Sequence, residues 1–480
     1  MGSEILRTAV APVIYIVSTM FFVFGLKRLT KVKTARQGNF LSGVGMLLAV
    51  IGSLLELGLV DYRWIAGGLV VGASIGAMFA IRVAMTEMPE LVALLNGLGG
   101  TASALVGLSV IWSRVIELGS TQTLAASLNA ADAVTIALSI LIGALTLTGS
   151  VIALMKLKGT LKNGQPILLP ARHALNGMLV IGIVGLGAAQ GFMTTGSDLV
   201  TVTLVLTGVA ALLGILLVIP IGGADMPVVV SLLNSYSGIA AAMAGFVVGN
   251  PLLIVAGATV GAAGIIHTKI MCVAMNRSLL NVLVGGFGVD ESGGGGGGGK
   301  TEYTNVRSTG AEEAALMLES AATTIFVPGY GLAVAQAQHI VRELADEITR
   351  RGGKVSYAIH PVAGRMPGHM NVLLAEADVP YEQLIEMDQI NSEFKNTDVV
   401  IVVGANDVVN PVAAKDPSSP IYGMPILNAH EARSVFVIKR SLGAGYAGIK
   451  NELFEYPNTM MLFGDAKGML QDIVKELKAL

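Results

Sequence analysis

Thr323-Thr324-Ile325-Phe326-Val327-Pro328-Gly329-Tyr330-Gly331-Leu332-Ala333-Val334 is the stretch on which the fold of the C-terminal part turns. A short β-branched and aromatic run bounded by Pro and Gly reads as a buried strand. Gly329, Gly331 and Val334 then give a G-x-G-x-x-V variant of the dinucleotide fingerprint. In that motif glycine allows a tight turn and lets backbone approach a pyrophosphate at a helix N-terminus. The bare spacing is weak evidence, because Gly43-Val44-Gly45 repeats it inside an apolar run. Its place between a strand and a helical stretch gives it weight.

Downstream, β-rich runs alternate with amphipathic ones. The predicted strands are Thr323–Val327, Lys354–Ile359, Asp398–Val403, Ser434–Ile438 and Thr459–Phe463. Predicted helices cover 332–350, 368–377 and 466–479. That alternation implies a Rossmann-like α/β domain with a doubly wound parallel sheet. Three further loops fall where such sheets bind ligands. Gly404-Ala405-Asn406-Asp407 follows the third strand. Val362, Gly364 and Arg365 lie after the second. Gly443-Ala444-Gly445-Tyr446 reads as a lid with one aromatic.

An NAD site places an acid after the second strand to hold the ribose 2′-hydroxyl. Here that strand ends in His360-Pro361-Val362-Ala363-Gly364-Arg365, with no acid. Lys439-Arg440-Ser441 closes the fourth strand, and two cations with a hydroxyl suit a 2′-phosphate. A solvated basic pair is the competing explanation. Together the two features favour NADP(H) over NAD(H). Asp407 beside a nucleotide reads either as a coupled acid or as a turn cap. No metal-ligand set is assigned.

Upstream the chain is of another kind. Asp290-Glu291-Ser292, seven glycines from Gly293 to Gly299, and Lys300 separate the two halves. The expected division is a transmembrane domain over 1–280, a flexible linker over 281–307 and a nucleotide-binding domain over 308–480. The whole chain is 53 % hydrophobic and 13 % charged, with mean hydropathy +0.69, too apolar for an ordinary soluble protein. A net charge of −2 gives no reason to expect nucleic-acid binding. One cysteine, Cys272, excludes an internal disulfide.

About nine apolar segments are long enough to span a bilayer: 5–26, 38–60, 64–84, 89–112, 132–155, 174–195, 199–220, 226–248 and 251–274. The expected fold is therefore a polytopic α-helical membrane domain followed by the Rossmann-like domain. Basic residues cluster in alternate connections: Lys27, Arg28, Lys31, Lys33 and Arg36, then Lys156, Lys158, Lys162 and Arg172, then Lys269 and Arg277. By the positive-inside rule the N-terminus is outside and the C-terminal domain cytoplasmic.

Two spans repeat one pattern. Glu87-Met88-Pro89-Glu90-Leu91-Val92-Ala93-Leu94-Leu95-Asn96 matches Asp225-Met226-Pro227-Val228-Val229-Val230-Ser231-Leu232-Leu233-Asn234. Gly100 and Gly107 follow the first asparagine at the spacing of Gly238 and Gly245 after the second. An acidic cap with proline in the first turn explains the start of each motif. It does not explain an asparagine seven residues past each proline, roughly 10 Å into the membrane at 1.5 Å per residue. Polar groups at that depth usually face a bundle interior or a water-filled path. Asn96 and Asn234 are thus candidates to line a hydrated path, and a helix–helix hydrogen bond by each is the alternative. Asp225 is a further candidate, with a simple N-cap as its alternative, as are Ser150, Ser235 and Ser237, for which a bond to their own backbone is the alternative. His267, near the cytoplasmic end of the last span, could titrate near neutrality but reads first as an interfacial histidine with no task.

With these motifs the chain resembles the beta subunit of proton-translocating nicotinamide nucleotide transhydrogenase along essentially its whole length. The resemblance rests on Met85-Thr86-Glu87-Met88-Pro89-Glu90-Leu91, Gly222-Gly223-Ala224-Asp225-Met226-Pro227, Leu233-Asn234-Ser235-Tyr236-Ser237-Gly238 and Pro328-Gly329-Tyr330-Gly331. It also rests on the His360–Arg365, Gly404–Asp407 and Lys439–Ser441 runs. It implies hydride transfer from NADH to NADP⁺ as protons move inward across a bacterial plasma (inner) membrane. It implies that Lys439, Arg440 and Ser441 hold the 2′-phosphate, and that Gly329, Gly331 and Arg365 approach the pyrophosphate. Tyr330, Val334, Val362, Gly364, Gly404, Asn406 and Gly445 would complete the NADP(H) site. Tyr446 would lie in a lid, and Asp407 would couple nucleotide state to proton state. Asn234, Asp225 and Ser150 match channel positions. In well-known relatives the position of Asn96 is a histidine taken as the proton carrier, and some relatives carry that histidine on a companion subunit.

Hydride transfer between two nucleotides needs two sites, and one fingerprint stands in a soluble context here. The expected partner is an NAD(H)-binding alpha subunit with additional transmembrane helices, assembled as a dimer of alpha–beta units in lipid. An ion channel or transporter gated by a regulatory nucleotide domain is the alternative, although no potassium-filter-like loop is present. A soluble NADP enzyme merely anchored to the membrane would need only one or two helices.

Overall fold

The computed structural model describes residues 9–57, 62–118, 130–193, 195–276, 278–284, 303–366, 368–445 and 447–480. The glycine run, most of the expected linker, Arg277 and Tyr446 lie outside the described residues. The chain divides into two compact units. One is essentially the chain up to Thr268; the other is mainly Phe287–Leu480 with Lys269–Val282.

Among the described residues nine helices are long and apolar enough to cross a membrane. They are α1 (Ala11–Leu29), α2 (Ala35–Leu57), α3 (Tyr62–Arg82), α4 (Met88–Leu118) and α5 (Ala130–Leu157), then α6 (Arg172–Gln190), α7 (Gly196–Val218), α8 (Met226–Val248) and α9 (Pro251–Ala274). The repeat glycines serve close helix packing. A Cβ on Gly143 of α5 would lie 2.4 Å from Gly100 O of α4. A Cβ on Gly257 of α9 would lie 2.6 Å from Gly238 O of α8. Gly45, part of the rival glycine motif, accepts the Ser18 hydroxyl on its carbonyl at 2.6 Å, so that motif joins α1 to α2.

Two helices run past the expected spans. The α4 helix has 31 residues, about 46 Å at 1.5 Å per residue, against a hydrocarbon layer of about 30 Å. The expected span ends at residue 112, short of Arg114. In the structure Arg114 stays helical and pairs with Asp132 at the start of α5, 3.6 Å away. Lys156, read as a loop cation, belongs to α5 and is 2 % exposed.

The second unit is a six-stranded, all-parallel sheet in the order β3-β2-β1-β4-β5-β6. The strands are β1 (Thr323–Pro328), β2 (Lys354–Ile359), β3 (Leu384–Glu386), β4 (Val399–Val403), β5 (Ser434–Lys439) and β6 (Thr459–Phe463). Its principal helices are α10 (Ala311–Ser320), α11 (Tyr330–Val334), α12 (Gln338–Arg350), α13 (His369–Glu376) and α14 (Ala466–Ala479). Val341, Leu344, Ala345 and Ile348 recur at helical spacing and bury one face of α12. Asp465 caps α14, its carboxylate accepting from Lys467 N at 3.1 Å and Gly468 N at 3.3 Å. Phe326 and Tyr357 stack inside the domain, with ring centroids 5.4 Å apart.

The expected helix over 332–350 is broken. The α11 helix ends at Val334, and Gln336 takes φ +48° before α12 begins. No glycine or proline marks this turn. Strand β3 and helix α10 are additions to the expected elements; α10 has Glu312 and Glu313 in its first turn and buries Ala314, Ala315 and Leu318 at helical spacing. β3 has three residues, and its burial is only partial.

Candidate functional site

Strand order reverses between β1 and β4. In an open parallel sheet the crevice beyond the carboxyl ends at such a point is where ligands bind. Here the loops leaving the two strands are stitched together. Gly329 N donates to Val403 O at 2.9 Å, and Gly331 N to Gly404 O at 2.9 Å. A Cβ on Gly331 would sit 2.6 Å from Gly404 Cα, and Gly404 itself has φ +66°. The fingerprint glycines are therefore already required by loop-on-loop packing, before any ligand approaches. Val334 ends α11 and is exposed.

The β4 loop is the hub. Asp407 opens a short helical turn, and its Oδ2 accepts from Ala447 N at 3.1 Å. The Gly445 backbone packs on the same carboxylate, where a Cβ would come within 2.4 Å of Oδ1. With its amide oxygen turned toward the donors, Asn406 accepts from Gly445 N at 2.7 Å and Lys439 Nζ at 3.0 Å. Lys439 also donates to Gly443 O at 2.5 Å and lies 5.0 Å from the Phe454 ring centroid. Burial pushes its ammonium down to about 8, opposed by the charge of Asp407. Arg440 and Ser441 are exposed beside it. Thus Asn406, Asp407, Lys439, Gly445 and Gly404 form one constellation.

The β2 loop brings a second set together. The Arg365 guanidinium lies over the Tyr330 ring, 4.3 Å from its centroid. Arg365 N donates to His369 Nδ1 at 3.0 Å. Gly364 has φ +112° and packs on the His369 ring. The sequence reading passed over the role of His360. It is 1 % exposed, and its Nδ1 accepts from Val362 N at 3.2 Å. Its Nε2 is therefore the protonated nitrogen, donating to Pro425 O at 2.8 Å. Burial holds its ring down at about 4, so it stays neutral and braces the loop. The signal for it was a histidine directly after an apolar strand.

In the helical unit α4, α5 and α8 converge at one level. Asn96 is buried, and its Nδ2 donates to Val230 O of α8 at 3.1 Å. The helix–helix explanation accordingly holds for that hydrogen bond. A Cβ on the next residue, Gly97, would lie 3.0 Å from Ser150 Cβ of α5. Ser150 is 1 % exposed, and its hydroxyl has no hydrogen-bond partner among the described residues. Two residues further, Gly99 faces Ser237 of α8. Asn234 is half-buried and one turn away on α8, with its carbonyl accepting from Ser237 Oγ at 2.8 Å. Ser235 donates across to Gly261 O of α9 at 2.8 Å. Asp225 sits at the N-cap of α8, and among the described residues its side chain makes no capping hydrogen bond. It lies about 13 Å below Asn234 at 1.5 Å per residue. His267 is exposed and outside this convergence.

Spanning helices joined to a Rossmann sheet with a cation-bearing switch point define a membrane protein with a dinucleotide-type domain. Residues 11–476 match the family described as NAD(P) transhydrogenase beta subunit. Two curated proteins named NAD(P) transhydrogenase subunit beta, both from Rhodospirillum rubrum, are 49 % identical over 464 residues. The alignment covers 96 % of this chain and 98 % of each relative. The chain belongs to the NAD(P) transhydrogenase beta-subunit family.

Proposed function

We propose that this chain is the NADP(H)-binding and proton-conducting subunit of a proton-translocating transhydrogenase. Residues 1–280 form the proton-conducting membrane domain, 281–307 a tether and 308–480 the NADP(H)-binding domain. The observation that carries the reading is Lys439, half-buried beside Arg440 at the switch-point edge, with no acid closing β2. Lys439 spends donors on Gly443 O and the Asn406 amide, which leaves a third for a phosphate, and Arg440 beside it is exposed. That donor set fits the 2′-phosphate of NADP(H).

NADP(H), when bound, supplies the hydride acceptor or donor. The chain's own residues bind and orient it. Lys439, Arg440 and Ser441 take the 2′-phosphate. Arg365, steadied on Tyr330, faces the pyrophosphate with the Gly329 and Gly331 backbone, Val334, Val362 and Gly364 beside it. Asp407 senses occupancy through Asn406, Lys439 and the 445–447 segment, whose Tyr446 covers the cofactor. In the bundle Asp225, Asn234, Ser150 and Asn96 line the proton path. An amide takes up no proton near neutral pH, so Asn96 positions water and does not carry charge. NAD(H) binds a companion alpha subunit with its own transmembrane helices. The complex is a dimer of alpha–beta units in the bacterial plasma membrane, with this C-terminal domain cytoplasmic.

Calorimetry on the purified full chain tests this reading. NADP⁺ should bind, with NAD⁺ at least tenfold weaker. Replacing Lys439 and Arg440 together with methionine should weaken NADP⁺ roughly 100-fold or more, at about 1.5–3 kcal/mol per charged hydrogen bond. Binding of NAD⁺ should not change. Equal affinity for both nucleotides overturns the assignment.

A further inference from the structure

Lys156 is the one strongly buried cation whose position the sequence reading misplaced. It is the penultimate residue of α5, and its ammonium points into protein. It donates to Ile221 O at 2.5 Å, Ile219 O at 2.6 Å and Gln165 O at 3.1 Å. An ammonium has three N–H donors, so the set is complete. Two acceptors belong to the connection between α7 and α8, and the third to the connection between α5 and α6. The same two connections are zipped further by Ile167 N on Ile219 O at 3.2 Å. Their glycines touch: a Cβ on Gly223 would lie 3.4 Å from Gly164 O.

The cage leads directly to Asp225. Ile221 stands four residues before it, and Asp225 N closes a tight turn onto Gly222 O at 3.1 Å. The carbonyls at 219 and 221 follow the C-terminal end of α7, where the helix dipole is negative and favours a cation. Among the described residues no carboxylate pairs with Lys156. Burying a charge is expensive unless every donor is satisfied. Two loops could be joined by a neutral donor at less cost. The retained charge is therefore the informative feature.

We propose that Lys156 is a positioning residue for proton coupling. Its buried positive charge locks the two connections together and fixes Asp225 at the mouth of the α4–α5–α8 polar convergence. This rests on the proton-path reading above. Lys156 touches neither nucleotide nor the migrating proton. It acts by holding the start of α8, the helix that carries Asn234.

The test uses the complete complex in sealed vesicles, measuring protons moved per hydride transferred, with NADP⁺ affinity measured in parallel. In the unaltered complex, protons should move with hydride; if none do, the proton-path reading fails, whatever Lys156 does. Given that coupling, Lys156→Met should keep NADP⁺ affinity within about twofold and lower the proton-to-hydride ratio at least fivefold. Lys156→Arg, which keeps the charge, should restore at least half of the ratio. If the methionine variant does not assemble, Lys156→Gln replaces it: a low ratio with glutamine and a high one with arginine supports the proposal. An unaltered ratio in the neutral variant, or equal loss in the glutamine and arginine variants, overturns it.

Discussion

Two lysines, one buried in the helical unit and one half-buried in the sheet domain, show how the halves of this protein use a cation differently. Lys156 places all three donors on backbone carbonyls and has nothing left to offer a ligand. Lys439 spends one donor on Gly443 O and meets the Asn406 amide and the field of Asp407. The first is a closed cage and the second an open socket. In the bundle, polarity joins helices and connections; in the sheet domain it is displayed at the strand ends. Glycine shows the complement. In both units it lets backbones touch, at Gly100 against Gly143 and at Gly331 against Gly404.

The comparison is broken most severely at the switch point. Gly404→Val should abolish NADP(H) binding and markedly destabilise the sheet domain. A Cβ there would lie 2.4 Å from Gly331 Cα, in a backbone with φ +66°. Overpacking contributes about 1–3 kcal/mol and the left-handed conformation about 1–2 kcal/mol more. Thermal unfolding with and without NADP⁺ reads the effect; near-normal binding would show that the loops are not interlocked. Gly72 of α3 provides the contrast, since a Cβ there meets nothing within 4 Å. Gly72→Ala should leave both assembly and binding unchanged.

The open socket makes a pH prediction. With Lys439 held down to about 8 by burial, raising pH through that value neutralises it in the free protein. NADP⁺ affinity should then fall above about pH 8, and binding below that pH should show little proton uptake. Without ligand, the charged form is penalised by the fold. That penalty is fully present below about pH 8 and is relieved as pH rises toward the unfolded value of 10.5. Lys439→Arg should flatten the affinity profile, because a guanidinium stays charged. A flat profile in the unaltered chain would mean that the ammonium does not meet the phosphate.

A smaller effect belongs to His360. Its ring is held near 4, below the unfolded 6.5, so folding favours the neutral form. Its stability contribution is complete above pH 6.5 and is lost as pH falls toward 4. His360→Gln should flatten the acid limb of the unfolding curve for the sheet domain. An unchanged limb would place the acid sensitivity elsewhere.

Much of this was legible in the sequence because it follows from period and composition. The spans are set by apolar length, and strands β1, β2, β4, β5 and β6 by β-rich runs between turn signals. The loops at Gly329, Gly364, Gly404 and Lys439 follow because parallel strands put their carboxyl-end loops on one edge. What escaped has no local signal. The turn at Gln336 uses a left-handed residue that is not glycine. Lys156 looks like any basic residue at a span end until the fold brings three carbonyls to it from two connections. Arg114, beyond the expected end of its span, is helical and faces Asp132 across two helices. For Asn96 the sequence offers a helix–helix hydrogen bond as one alternative, and only the fold supplies the acceptor, Val230 O of α8.

The central claim is that the sheet domain's nucleotide chemistry is linked to a polar path through the helical unit. Asn234→Leu in the complete complex tests it most directly. Proton movement and hydride transfer are measured together in sealed vesicles, with NADP⁺ affinity as a control. The account predicts that NADP⁺ still binds normally while proton movement is lost. Full proton movement by the leucine variant would contradict it.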